Sequence, residues 1–132
     1  MQRDAVFRIV PQLTVADIGR SVEFYRERLG FSVVMQDPPD EPVFAALERE
    51  DASLFLVSEG SREEPYQLED LKANKRGVGI RLYFEVDDAR QLYESLTAAG
   101  VVPLRDIAYN EREDYTEFSI ADPDGYEVGV YS

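Results

Sequence analysis

At 132 residues, 44% of them hydrophobic and including seven phenylalanines and eight tyrosines, the chain suits one domain with a proper core and has no room for separate cofactor and substrate domains. Cysteine and histidine are both absent, which excludes disulfides, thiol nucleophiles, imidazole bases and the ligands of nearly all zinc and copper sites. A net charge of −13 opposes nucleic-acid phosphate and would attract a cationic partner, although it equally suits plain solubility or a high-salt habitat.

The start, MQRDAVFRIV, carries charges where a signal peptide needs its apolar stretch, and no later apolar run approaches the roughly 18 residues of a membrane span. A cytoplasmic protein without membrane contact is the expectation. Residues 11–34 predict an alternating strand ending in Val15, a helix begun by Asp17 and stopped by Gly30, and a second apolar strand. Ile18, Val22, Tyr25 and Leu29 fall on one face of that helix. Val43–Leu47 and Ser53–Ser58, joined by Arg49-Glu50-Asp51, read as a hairpin. The polar stretch Glu59–Gly79 reads as a linker and the most mobile segment, with a short helix around Leu68–Ala73.

Residues 81–104 then repeat the opening pattern. A strand leads to Asp87, a helix presents Ala89, Leu92, Leu96 and Ala99, and Gly100 precedes an apolar strand through Val101–Leu104. Asp17 to Gly30 and Asp87 to Gly100 are both spaced by 13 residues, and the two copies are displaced by 70. Tyr115–Ala121 and Tyr126–Tyr131 close the chain as a hairpin around Asp122-Pro123-Asp124-Gly125, with Pro fixing φ and Gly taking the left-handed position. Both halves are therefore βαβββ units of an α+β fold, with modules at about 5–58 and 79–132 and a linker at about 59–78.

The doubled unit carries Asp17, Ser21, Phe24, Tyr25, Leu29, Gly30 and Phe31 in order, then ADPDGYEV near the end. In this it resembles the vicinal oxygen chelate superfamily, which includes glyoxalase I, extradiol dioxygenases and the fosfomycin and bleomycin resistance proteins. The resemblance runs from about Ile9 to Tyr131 and implies two modules whose sheets curl into a cup. One scaffold hosts many chemistries, so the site must decide the function.

In metal-binding relatives the cup holds two imidazoles and a carboxylate. Carried onto this chain, the ligand positions fall on Val10, near Phe55, on Arg81 and on Gly129, and none of these supplies a metal ligand. A guanidinium at such a position repels a cation. A displaced site of Gln12, Glu85 and Glu127 for magnesium or calcium is the alternative. The Asp122–Gly125 segment is not an EF-hand loop, because its twelfth position would lie beyond residue 132. Gly77-Val78-Gly79 lacks the third glycine and the helix of a dinucleotide fingerprint.

Strand alternation from those ligand positions puts Gln12, Thr14, Phe55, Arg81, Tyr83, Glu85, Glu127, Gly129 and Tyr131 on the cup side. Ile9, Leu13, Val15, Leu54, Leu56, Leu82, Phe84, Val86, Val128 and Val130 lie on the helix side. Arg81 either clamps a ligand anion or closes an internal salt bridge to Glu85 or Glu127. Phe55, Tyr83 and Tyr131 either stack a flat ligand or pack.

The expected function is a binding protein that uses no metal or cofactor, sequesters a cationic or aromatic small molecule, and forms a homodimer as the bleomycin resistance proteins do. The alternatives are a lyase or isomerase, cofactor-free or with the displaced metal, and a regulatory interaction module. Acid and base work would fall to Glu85, Glu127, Tyr83 or Tyr131, whose ordinary pKa values of about 4.3 and 10 would have to shift far.

Overall fold

The computed structural model describes residues 8–61 and 65–132, so the expected beginning of the first module at residue 5 lies outside the described residues. Each half builds a four-stranded sheet from the same pieces. In the first, Gln12–Val15 (β1), Ser32–Asp37 (β2), Phe44–Arg49 (β3) and Ala52–Ser58 (β4) assemble in the order β1-β4-β3-β2, with the helix Ile18–Leu29 (α1) crossing between β1 and β2. Pro65–Ala73 (α2) occupies the linker, longer than the helix expected around Leu68–Ala73. In the second half, Leu82–Glu85 (β5), Ala89–Ala98 (α3), Arg105–Asn110 (β6), Tyr115–Ala121 (β7) and Glu127–Tyr131 (β8) give the order β5-β8-β7-β6. The outer pairs β1–β4 and β5–β8 are parallel and the rest antiparallel. A parallel pair needs a long crossover, which each helix begins.

One face of each sheet is apolar, and a single core serves both modules. Leu13, Val15, Leu54 and Leu56 pack with Val22 and Tyr25 of α1, while Leu82, Phe118, Val128 and Val130 pack with Ala89 and Leu96 of α3. The rings of Phe31 and Phe84 meet edge to face at 5.5 Å and join the halves. Burying a side chain of this size contributes about 1.5–3 kcal/mol, so this shared core is the main reason the modules stay together.

The hairpin turn of the second module adds a polar latch. Asp122 is buried; its Oδ1 accepts the amides of Asp124 and Tyr126, both at 2.9 Å, and its Oδ2 accepts the Tyr25 hydroxyl at 2.8 Å. Asp124 accepts the Ala16 amide at 2.9 Å and the Ser21 hydroxyl at 3.3 Å. The residues that carry the family resemblance, Asp17, Ser21 and Tyr25 with the Asp122–Gly125 turn, therefore hold the fold: Asp17 caps α1 through the Arg20 amide, and the other two grip the turn.

Four expectations are corrected. The N-cap of α3 is Asp88, not Asp87: Asp88 is extended at φ −146° and accepts the Gln91 amide at 3.0 Å. Gly100 does stop this helix, following the C-cap Ala99 at φ +90° as the left-handed residue. Ile9 and Ala99 are exposed, Ile9 because it precedes β1 and has no strand partner to hold it against a helix. The strand expected at Val101–Leu104 begins only at Arg105, because Pro103 has no amide to donate and ladder bonding starts with the Leu104 amide on the Ser119 carbonyl at 2.8 Å.

Candidate functional site

Register puts Tyr83, Gly129, Ser119 and Arg105 in one row across β5, β8, β7 and β6, all on the face away from the helices. Gly129 leaves the row open, and the Tyr83 ring fills it. A Cβ on Gly129 would stand 2.6 Å from Tyr83 Cε1 and 2.7 Å from Cδ1, so only glycine admits the ring there. The ring therefore covers one of the positions at which relatives hold a metal ligand.

Two arginines and two glutamates surround it. Arg81 Nε lies 3.2 Å from Glu127 Oε1, Arg105 Nε lies 2.9 Å from Glu127 Oε2, and Arg105 Nη1 lies 3.2 Å from Glu117 Oε1. Arg105 Nη2 donates to the Tyr83 hydroxyl at 2.6 Å, and that hydroxyl donates to Glu117 over a long 3.4 Å. Burial alone would push the Glu127 carboxyl up, but hydrogen bonds from Ser119, Arg81 and Arg105 together outweigh it and hold it below the usual glutamate range. Arg105 is held more firmly protonated than usual, first by its bond to Tyr83 and then by Glu127. Tyr131 stands edge to face between Tyr83, at 6.1 Å, and Tyr115, at 6.2 Å, and makes an aromatic wall.

Beside this network runs an open groove of about 840 Å³, bordered by Lys75, Arg76, Val78, Ile80, Arg81, Tyr83, Leu104 and Glu127. Val78, Ile80, Leu104 and Tyr83 are all exposed despite their size. Arg76 is committed elsewhere, to Glu59 and to the Thr14 carbonyl.

Of the expected site residues, Arg81, Tyr83, Glu127 and Tyr131 come together here. Glu85 shares their strand face but lines a different recess between the modules, with Phe84, Arg49 and Glu50, and makes no ion pair with Arg81. Gln12, Thr14 and Phe55 lie on the first sheet, not in the strand row that carries Tyr83, Ser119 and Arg105. Phe55 spends its ring on Phe44, 5.2 Å away and edge on, in a small cluster with Ala46 and Val57. Arg105, Glu117 and Ser119 were not anticipated. Glu117 and Ser119 alternate on the expected strand Tyr115–Ala121 and were legible there, whereas Arg105 was not, because a bulge between Arg105 and Ala108 breaks the alternation and turns Ile107 toward the core.

The residues at the family's metal positions do not fit a metal. Arg81 presents a cation, Gly129 lies under a phenol ring, and Val10 and Phe55 offer no donor side chain. The displaced set fares no better, since Gln12 is on the other sheet and Glu127 is shared by two guanidinium groups. Among the described residues, no three Asp or Glu side chains converge as a metal site.

The sequence matches the family model of the Glyoxalase/Bleomycin resistance protein/Dioxygenase superfamily over residues 6–130. No curated protein matches it significantly. Among solved structures, UcmS2 is similar at a TM-score of 0.78 and 22% identity, over 96% of this chain and 98% of that one. A protein from the mobile metagenome of V. Pseudocholerae aligns at 0.69 and 26% identity, covering 99% and 97% of the two chains. A lactoylglutathione lyase from Agrobacterium tumefaciens aligns at 0.70 with 16% identity, covering 98% and 95%. No helix among the described residues is long and apolar enough to cross a membrane.

Proposed function

The chain belongs to the glyoxalase/bleomycin resistance protein/dioxygenase superfamily, and from that premise we propose that it is a metal-independent binding protein that holds a small aromatic compound against the second sheet. The observation that carries this is the Tyr83 ring lying across Gly129, where a metal-binding relative places a ligand. An aromatic face beside an open, partly apolar groove with a few fixed polar groups has the chemistry of a small-molecule site.

The lyase or isomerase alternative needs a group that moves a proton at neutral pH. Glu127 is held ionised by two guanidinium groups and is a poor base there, and the Tyr83 hydroxyl already accepts from Arg105. The interaction-module alternative draws on the filled cluster of Phe44, Ala46 and Val57, but that cluster is on the first sheet and leaves the groove open. We also propose a homodimer in which the first sheet of one copy faces the second sheet of the other. The division of the expected site residues between two sheets, with Gln12, Thr14 and Phe55 on the first and Arg81, Tyr83 and Glu127 on or beside the second, supports it.

Thermal denaturation and calorimetric titration against a panel of neutral, anionic and cationic aromatic compounds test the binding reading. A ligand at 100 times its Kd is expected to stabilise the fold by about 2.7 kcal/mol. Tyr83→Ala should abolish the heat of binding while the protein remains folded. The reading is overturned if no aromatic compound raises the melting temperature, or if Tyr83→Ala binds as well as the parent.

A further inference from the structure

We infer that the aromatic ligand is an anion, a planar carboxylic acid whose carboxylate is taken by Arg81 and Lys75; this rests on the groove being the binding site. The chain carries 27 acidic against 14 basic residues, yet this groove reverses the sign: Lys75, Arg76 and Arg81 line it against the single carboxylate of Glu127. That carboxylate is already spent, because one oxygen faces Arg81 and the other Arg105. A cationic ligand would find no acidic group to itself.

Two of the three cations keep donors in reserve. Arg81 meets Glu127 only through Nε, its side chain is 51% exposed, and its two Nη groups make no ion pair among the described residues. The Lys75 ammonium makes none either. Guanidinium Nη groups suit a carboxylate because they present parallel N–H donors at its spacing. The remaining border, Val78, Ile80 and Leu104 with the Tyr83 ring, offers a flat apolar body somewhere to rest. The acid's charge is thus recognised at contact and not by the distant field of the protein, which is screened beyond about 10 Å at 0.1 M salt.

Calorimetric titration with three probes of one shape tests this: 2-naphthoate, the neutral 2-naphthamide and the cationic 2-naphthylmethylamine. The acid is expected to bind at least tenfold more tightly than the amide, and the amine more weakly still. Arg81→Gln should erase the advantage of the acid over the amide, and Lys75→Gln should erase part of it. Equal binding of acid and amide, tighter binding of the amine, or an acid preference that survives both substitutions would overturn the inference while leaving an aromatic site in place. Failure of all three probes, together with the panel above, would instead overturn the binding reading itself.

Discussion

The Tyr83 ring lies over Gly129, close enough that a single methyl group on Gly129 would collide with three of its ring atoms at 2.6–3.0 Å. Gly129 is buried at the centre of the second sheet between Tyr83 and Ser119, so the ring has a floor of backbone alone. The pair makes the aromatic surface of the groove a property of two positions, not one.

Gly129→Ala is therefore expected to push the ring out and to destabilise the fold by about 1–3 kcal/mol, the range for overpacking. Tyr83→Ala removes the obstacle, so the double variant should be more stable than the two single losses imply. A urea-denaturation cycle over the four proteins measures the coupling, and additive losses would show that the ring and the glycine do not meet.

The register that brings these residues together also separates the legible from the hidden. Local chemistry announces Asp17, Gly30 and the Asp122–Gly125 turn, because each depends on a few neighbouring residues. Alternation alone assigns the apolar faces of β1, β4 and β8. Arg105 escaped because β6 begins where pairing with Ser119 on β7 allows, which no local pattern states. The 13-residue spacing shared with Asp17 pointed to Asp87, and the fold uses the adjacent Asp88 as the cap. The choice between Glu85 and Glu127 as the partner of Arg81 was likewise settled only by the folded geometry.

The Asp88 cap yields a direct comparison. Asp88→Ala removes the acceptor for the Gln91 amide and should cost about 1 kcal/mol, the usual value for losing an N-cap. Asp87→Ala removes an exposed carboxylate one residue earlier and should change stability by less than about 0.5 kcal/mol. Chemical denaturation of the two variants side by side checks this, and equal losses would contradict the assigned cap.

Glu127 sets a pH dependence of known sign. Its carboxyl is held below the usual glutamate range in the fold, so its contribution is present above the unfolded value of about 4.3 and fades as pH falls through the folded one. Glu127→Gln should cost no more than about 1 kcal/mol at neutral pH, since Arg81 and Arg105 are partly exposed. The difference from the parent should shrink on acidification below about pH 4. Stability measured at pH 7 and at pH 3.5 tests it; a difference that grows in acid would reverse the sign.

Asp122 is expected to behave in the opposite way. Burial raises its carboxyl above the ordinary aspartate range, against the lowering effect of the bonds from Tyr25, Tyr126 and Asp124. The folded state thus takes up a proton more readily than the unfolded chain, so lowering the pH from above the folded value toward the unfolded value of about 3.9 adds stability through this group. Asp122→Asn can keep its oxygen on the two backbone amides and turn its NH2 to the Tyr25 oxygen, at a cost of about 1 kcal/mol or less. Asp122→Ala leaves the buried Tyr25 hydroxyl and two amides without acceptors and should cost about 3 kcal/mol or more. Because the asparagine does not titrate, the parent should gain on Asp122→Asn as pH is lowered from 7 toward 4, while its lead over Glu127→Gln shrinks on further acidification to pH 3.5. Denaturation of the three proteins at these pH values separates the groups, and a parent that loses ground to Asp122→Asn in acid would mean that the latch carboxylate is stabilised by its bonds more than it is penalised by burial.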